Sequence, residues 1–213
     1  MTSKERVRAC LEGRIPDRVP WGEFAIDFDT VEKILGHETY LRAKAKSQIA
    51  FWEGRHEEVA ASYREDHIEL HRRLGLDIVT FPMATWEIPL PSDEPPPRRI
   101  DESTWEDRCG RIFKYSAFTG DITCVRDPVE EVRSYSVGDF QKTPSPPALD
   151  PRSWEILESV IREFKDEKFI CGPSGGIIGC VLPGGLERGS LALIEDPDLI
   201  TAATAYALKQ QNL

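Results

Sequence analysis

Three things are missing from this sequence: a basic tract, an apolar run long enough to cross a membrane, and a spaced cysteine pair. Each absence bears on function. The 27 basic residues stand against 37 acidic ones, for a net charge of −10, the wrong sign for a chain that must neutralise phosphates. Nucleic acid and anionic membrane surfaces are poor partners for such a chain. The start, Met1-Thr2-Ser3-Lys4-Glu5-Arg6, leads into a charged helix and not into the apolar core of a signal peptide. No later run approaches bilayer-spanning length. The chain is read as cytoplasmic. Its five cysteines, Cys10, Cys109, Cys124, Cys171 and Cys180, are odd in number and scattered. Without a Cys-x-x-Cys pair they read as free thiols and not as a structural zinc site or redox couple.

What is present is the composition of an ordinary globular protein. With 213 residues, 40% apolar and 30% charged, a sizeable core is available and a single domain over 1–213 is expected. Ser3 is placed to cap a short helix with Val7, Cys10 and Leu11 on one face, acting as a lid or collar and stopped by Gly13 and Pro16. The mostly apolar run from Arg18 to Phe28 suits a first strand buried on both sides. Asp29-Thr30-Val31-Glu32 resembles a capping box for a short helix closed by Gly36. Leu41, Ala45, Ile49, Trp52, Val59, Tyr63, Leu70 and Leu74 keep helical spacing, as one long helix or a pair broken at Gly54. Gly75 ends the run before a second short strand, Leu76 to Phe81.

Prolines then crowd residues 89–97, which excludes a sheet interior. From Trp105 to Arg126, β-branched and aromatic residues surround Cys109-Gly110 and Gly120-Asp121 turn signals, and an antiparallel hairpin array is expected. Residues 89–150 are therefore read as an insertion, closed by the proline-rich stretch Thr143 to Pro151. Asp150 and Pro151 start a helix with Trp154, Leu157, Val160, Ile161 and Phe164 as its buried face. A third strand, Lys168 to Cys171, a glycine-rich loop, a helical stretch over Leu182 to Ile194 and a last helix opened by Asp196-Pro197 complete the pattern. Alternating strands and helices define an α/β protein with about three strand–helix units. An eight-stranded barrel typically needs about 250 residues. Either the sheet is small and open, or this is the N-terminal portion of a partial (β/α)8 TIM barrel whose remaining strands lie beyond Leu213.

The stretch Arg6 to Trp21, with Gly13-Arg14-Ile15-Pro16-Asp17-Arg18-Val19-Pro20 at its centre, resembles the start of uroporphyrinogen-decarboxylase-like and cobalamin-dependent methyltransferase proteins. There a short helix, a Gly-x-x-Pro-Asp-Arg-x-Pro turn and the first barrel strand come in this order. Trp105-Glu106-Asp107-Arg108-Cys109-Gly110 is similar to the family's Trp-x-Asp-x-x-Gly hairpin, and Gly184 to Gly189 falls where members have a helix after strand three. These are scaffold motifs, so they bear on the superfamily more than on the reaction. The decarboxylases carry an Arg-Gln-Ala-Gly-Arg stretch after strand one, where this chain has Ala25-Ile26-Asp27-Phe28-Asp29. They also carry an aspartate after strand two, where this chain has Phe81 to Trp86. A porphyrinogen with many carboxylates needs arginine forks.

The resemblance therefore implies corrinoid-associated methyl transfer to a small molecule, with zinc held by a His and two Cys of later strands, none of them in this chain, and a corrinoid protein as partner. Porphyrinogen decarboxylation is the alternative enzyme reading, and a non-catalytic fragment or partner half is a third. A half barrel with open strand edges is expected to self-associate.

In a barrel the working face lies at the carboxyl ends of the strands. That nominates Glu23 and Asp27 around strand one, Met83, Thr85 and Trp86 after strand two, and Ser174, Gly175 and Gly176 after strand three as substrate-binding candidates. Glu23 and Asp27 are equally explained by pairing with an arginine, and Trp86 by packing. Gly172 to Gly176 matches neither the dinucleotide nor the Walker pattern, so a plain turn outweighs an anion site. His67 and His71, four apart on a helix, have zinc spacing, but a core histidine beside an exposed one is the expected arrangement.

Overall fold

A computed structural model describes residues 1–80, 94–128, 134–142, 154–172 and 182–211. The chain is mixed α/β, with helices, a two-stranded parallel sheet and a four-stranded antiparallel sheet. The described residues fall into two compact units, the first within 1–97, 115–123 and 150–173, the second within 98–114, 124–149 and 174–213.

The first unit opens with helix α1 (Ser3–Leu11). Its cap is Thr2 and not Ser3: the Thr2 hydroxyl accepts from the Glu5 N–H, and Glu5 returns the bond to the Thr2 N–H in a full capping box. Ser3 is released for another task, described below. The buried face is Arg6, Val7 and Ala9, whereas Cys10 and Leu11 are exposed, so the expected apolar face of this helix is wrong by a third of a turn.

The expected first strand does not form as a regular strand. From Trp21 to Asp27 the chain is irregular, and Val19, Trp21 and Phe24 are exposed. Pro20 has no N–H to give a ladder. The segment nonetheless runs alongside β1 (Ile78–Thr80) in the same direction. The Trp21 carbonyl accepts from the N–H groups of Asp77 (2.8 Å) and Ile78 (3.3 Å), and the Thr80 hydroxyl donates to the Glu23 carbonyl. Gly22 is what permits this approach, because a Cβ there would stand 2.7 Å from the Ile78 Cβ. On its other edge β1 pairs in parallel with β6 (Phe169–Cys171), in the register Ile78 with Phe169, Val79 with Ile170 and Thr80 with Cys171.

Helices cover one face of this sheet. Helix α2 (Phe28–Leu35) ends on Gly36 in the left-handed conformation. The long apolar pattern is a broken pair, α3 (Ala45–Trp52) and α4 (His56–Leu74), with Gly54 at φ +78° between them and Gly75 at φ +62° closing the second. Helix α5 (Glu155–Phe164) packs against α4, and Val59, Tyr63 and Leu70 meet Ile156, Val160 and Phe164 over Val79 and Ile170. Ile156, absent from the expected buried face of α5, is buried, while Leu157 and Ile161 are half-buried at its edge. Strand side chains alternate between faces. With Val79 and Ile170 turned to the helices, Thr80 and Cys171 stand on the opposite face, at the carboxyl end of the sheet.

Asp77 ties these pieces together. Its side chain is fully buried and accepts from the Ser3 hydroxyl (2.8 Å), Arg6 Nη1 (2.6 Å), Arg18 Nη1 (2.6 Å) and Nη2 (2.9 Å), and the Trp21 N–H (3.2 Å). Arg6 also holds Asp17, which keeps the Asp17 carboxyl well below the usual range. The Pro16-Asp17-Arg18 turn is thus a structural clasp between α1 and the start of β1. Burial alone raises the carboxyl pKa of Asp77, but the hydrogen bonds from Ser3, Arg18 and Trp21 outweigh it and the net direction is down.

The antiparallel sheet has the order β2 (Arg98–Arg99), β3 (Thr104–Glu106), β4 (Ile112–Ser116), β5 (Asp121–Arg126), as the hairpin pattern predicts. Asp107 sets one turn by accepting from the N–H groups of Cys109 and Arg111, both at 2.9 Å. The 116–120 turn belongs to the first unit, where Lys44 Nζ donates to the Thr119 carbonyl at 2.8 Å. In the second unit, α6 (Gly185–Glu195) leads to α7 (Pro197–Gln211). Asp196 caps α7 by accepting from the Leu199 N–H at 3.1 Å, with Pro197 at its first position. A 3₁₀ turn, Val137–Phe140, sets Phe140 edge-on to Tyr206 at 6.0 Å. The proline-rich stretches at 89–93 and 143–151, the Asp150 cap and Cys180 lie outside the described residues.

Replacing Asp77 by alanine leaves the buried Arg6 Nη1 without its partner while Asp17 still holds Nε and Nη2, so a loss of about 3 kcal/mol, the lower end for a broken buried pair, is expected. Urea unfolding followed by circular dichroism checks it. A loss below about 1 kcal/mol, the level of a surface ion pair, is the contrary result.

Candidate functional site

The first unit holds a small cavity of about 20 Å³, room for about one water, beneath the segment that follows Trp21. Glu23, Phe24, Ala25 and Ile26 form one wall, Leu41 and Arg42 a second, and His67, Leu70 and His71 of α4 the floor, with Leu76 just before β1 and Thr80 at its end. The surface that faces it is almost wholly apolar.

Of the residues nominated from sequence, two are described. Glu23 lines the pocket, and its carbonyl receives the Thr80 hydroxyl. Asp27 does not line it. It occupies the cap position of α2 without making the cap bond, and its carboxylate engages Arg42 Nη2 (3.1 Å) and Lys44 Nζ (3.8 Å). Pairing with an arginine is thus what Asp27 does, and through Arg42 it acts on the pocket at one remove. Met83, Thr85, Trp86, Ser174, Gly175 and Gly176 lie outside the described residues.

Arg42 and Lys44 adopt φ +56° and +49°, the left-handed region that side-chain-bearing residues rarely occupy. Such conformations cost of order 1 kcal/mol or more and persist where the surroundings enforce them. Here the enforcing contacts are Asp27 and, for Lys44, the Thr119 carbonyl. Nothing in the pattern Leu41-Arg42-Ala43-Lys44 announces this, because the signal is in the backbone and not in the residue type.

The expected exposed partner of His67 is not exposed. His67 and His71 are both buried, at 2% and 4%, with their rings stacked at 4.3 Å. An apolar helix stripe is wide enough to take three or four residues in two turns, so His71, next to Leu70 and four after His67, falls within it. The His71 Nδ1 lies 2.9 Å from the His67 carbonyl. A carbonyl only accepts, so Nδ1 carries the proton and Nε2 the lone pair. That buried Nε2 meets no hydrogen-bond partner among the described residues. Burial pushes the His67 pKa down to about 3, assisted by the neighbouring ring, against an opposing hydrogen bond that the imidazole donates to the Thr80 backbone. Burial also lowers that of His71. The pair is therefore a neutral, apolar-packed floor at physiological pH.

A second polar cluster is structural. Asp66 accepts from the Thr39 and Ser62 hydroxyls and meets His37 Nε2 at 3.0 Å. Ser62 donates to the carboxylate and not to the imidazole, so the Ser–His hydrogen bond needed for nucleophile activation is not made. The Ser62 and Thr39 oxygens in turn receive the Tyr40 and Leu41 N–H groups, which fixes the loop that carries Arg42. Among the described residues no three His, Cys, Asp or Glu side chains gather as a metal site, and no helix is long and apolar enough to cross a membrane.

Compared with known proteins, the chain matches no family model, no curated protein and no solved structure.

A buried neutral histidine makes stability depend on pH with a definite sign. The unfolded chain takes up a proton below its ordinary value of 6.5, while folded His67 resists until about 3. Stability is full above pH 6.5 and falls as the pH drops through that window, by about 1.4 kcal/mol per pH unit for one proton. Unfolding free energies from pH 7.5 to 4.5 are expected to show this slope, reduced in His67→Leu. An equal slope in the variant assigns the acid lability to other groups.

Proposed function

We propose that this chain contributes about three strand–helix units, with an inserted hairpin region, to a (β/α)-barrel enzyme of the uroporphyrinogen decarboxylase and cobalamin methyltransferase superfamily. Its proposed role is corrinoid-associated methyl transfer to a small molecule in the cytoplasm. The observation that carries this reading is the order of parallel neighbours. The Trp21–Glu23 segment, β1 and β6 lie side by side in sequence order, with α4 and α5 on one face. Glu23, Thr80 and Cys171 then mark the carboxyl end of adjacent strand positions, where a barrel places its chemistry. The Pro16-Asp17-Arg18 turn acts as a clasp on Asp77, which suits its place among the scaffold motifs of the resemblance.

The zinc that the resemblance implies would be held by later strands, so no step through a metal is assigned to this chain. Porphyrinogen decarboxylation is the second reading, and the guanidinium of Arg42 at the pocket favours it. One guanidinium already held by Asp27 is a poor match for a substrate with many carboxylates. For that reason methyl transfer ranks first.

The test is to titrate the purified chain anaerobically with methylcobalamin and, separately, with uroporphyrinogen, measuring binding by equilibrium dialysis. Saturable binding of methylcobalamin is the expected result. Binding of uroporphyrinogen without methylcobalamin would replace the reading by the decarboxylase. Binding of neither would leave a non-catalytic partner role.

A further inference from the structure

Arg42 and Lys44 belong to two tight turns set back to back. The Ala43 N–H donates to the Tyr40 carbonyl and the Lys46 N–H to the Ala43 carbonyl, both at 2.9 Å. Arg42 takes the third place of the first turn at φ +56°, and Lys44 the second place of the next at φ +49° and ψ −114°. The latter is the corner of a type II′ turn, which glycine occupies without strain and lysine does not. Two long basic residues therefore stand where the backbone asks for glycine, and contacts elsewhere must hold them. The holding groups are few. The two oxygens of Asp27 divide between Arg42 and Lys44. The 116–120 turn supplies the Thr119 carbonyl to Lys44 Nζ (2.8 Å) and the Gly120 carbonyl to the Ala45 N–H (3.1 Å). Apolar burial adds little at the tip of this turn, where Phe118 is 98% exposed.

Asp27 has a second role within reach. It stands at the cap position of α2 and makes no side-chain cap bond there, although an aspartate in that place ordinarily accepts from first-turn N–H groups. We propose that the 116–120 turn is a strap with two states, closed when Asp27 grips Arg42 and Lys44 and open when its carboxylate turns back to cap α2. The strap, Asp27 and both tight turns belong to the first unit. Each state has contacts that the other lacks, which is what a two-state element requires. The closed state has the two ion pairs and the two hydrogen bonds to the strap, and the open state has the helix cap and a relaxed backbone at Arg42 and Lys44. A strap held by polar contacts near the surface lies at the low-stability end of a fold. Residues 23–27 run from the Thr80 contact into α2, so the strap sets whether the far end of that segment is gripped. The inference uses no step of methyl transfer, and a failed methylcobalamin titration leaves it standing.

The experiment is amide nitrogen relaxation dispersion on the full chain, which reads exchange on the microsecond to millisecond scale. The amides of Asp29, Thr30, Lys44, Ala45, Thr119 and Gly120 are expected to share one exchange rate, with a minor state of about 1–10%. The Asp27 ion pairs are partly exposed. Raising the salt from about 0.01 M to about 1 M, which shortens the screening length from about 30 Å to about 3 Å, is therefore expected to raise the minor population several-fold. Asp27→Asn keeps a capping side chain and removes the charge. It is expected to raise the open population about tenfold and to speed hydrogen exchange at the Ala45 amide by a like factor, with the α4 amides unchanged. The proposal is overturned if the strap and α2 amides exchange at unrelated rates or not at all, or if salt leaves the population unchanged. It is equally overturned if Asp27→Asn leaves Ala45 at its native protection, or if the α4 amides lose protection as well, which would make Asp27 a support of the whole unit and not a latch.

Discussion

The carboxylate of Asp77 is the point on which the first unit depends. A fully buried charge is tolerated only when opposite charge and hydrogen bonds surround it. Asp77 meets that condition with groups drawn from three places in the chain: Ser3 and Arg6 from α1, Arg18 from the turn, and the Trp21 N–H from the segment that follows. Because the donors come from three pieces of the chain, satisfying one side chain fixes the direction in which the chain leaves α1 and the line along which it passes β1. The Trp21 carbonyl then takes the Asp77 and Ile78 N–H groups, and Gly22 admits the close approach. Remove the carboxylate and the same groups have no reason to converge.

The pocket follows from that placement. Once Trp21 is set against β1, residues 23–26 are carried over the end of α4, and Thr80 holds Glu23 through its hydroxyl. The facing wall is fixed separately, by the Asp66 cluster that receives Thr39 and Ser62 and thereby anchors the loop leading to Arg42. Two independent polar hubs, one at Asp77 and one at Asp66, thus fix opposite walls of one cavity. The floor is left to α4, whose apolar stripe takes in two histidines.

Much of the architecture is legible in the residues. Gly54 and Gly75 mark the break and end of the long helical pattern because glycine alone enters the left-handed conformation without strain. The hairpin turns at Cys109-Gly110 and Gly120-Asp121, and the second and third strands, are set by local chemistry of the same kind. What sequence misses is what depends on distant partners. An apolar run from Arg18 to Phe28 reads as a strand, yet its hydrogen bonds go to β1 at only a few points and Pro20 contributes none. Ser3 reads as a cap because its type is right, while Thr2 takes that role and Ser3 bonds a carboxylate 74 positions away. Asp77 is invisible for the same reason: in Leu76-Asp77-Ile78-Val79 it looks like a polar interruption of a strand. Of the candidate site, Glu23 and the histidine spacing could be read from type and position, but Arg42 could not, since only its backbone conformation and Asp27 bring it to the pocket.

The central claim is that the Asp77 clasp holds the Trp21 segment against β1. Amide hydrogen exchange measured residue by residue in the native protein and in Arg18→Met tests it directly. The Asp77 and Ile78 amides, both bonded to the Trp21 carbonyl, are predicted to lose most of their protection in the variant, while the amides within α4 keep theirs. Unchanged protection at Asp77 and Ile78 would contradict the account, because the segment would then be held in place by something other than the clasp.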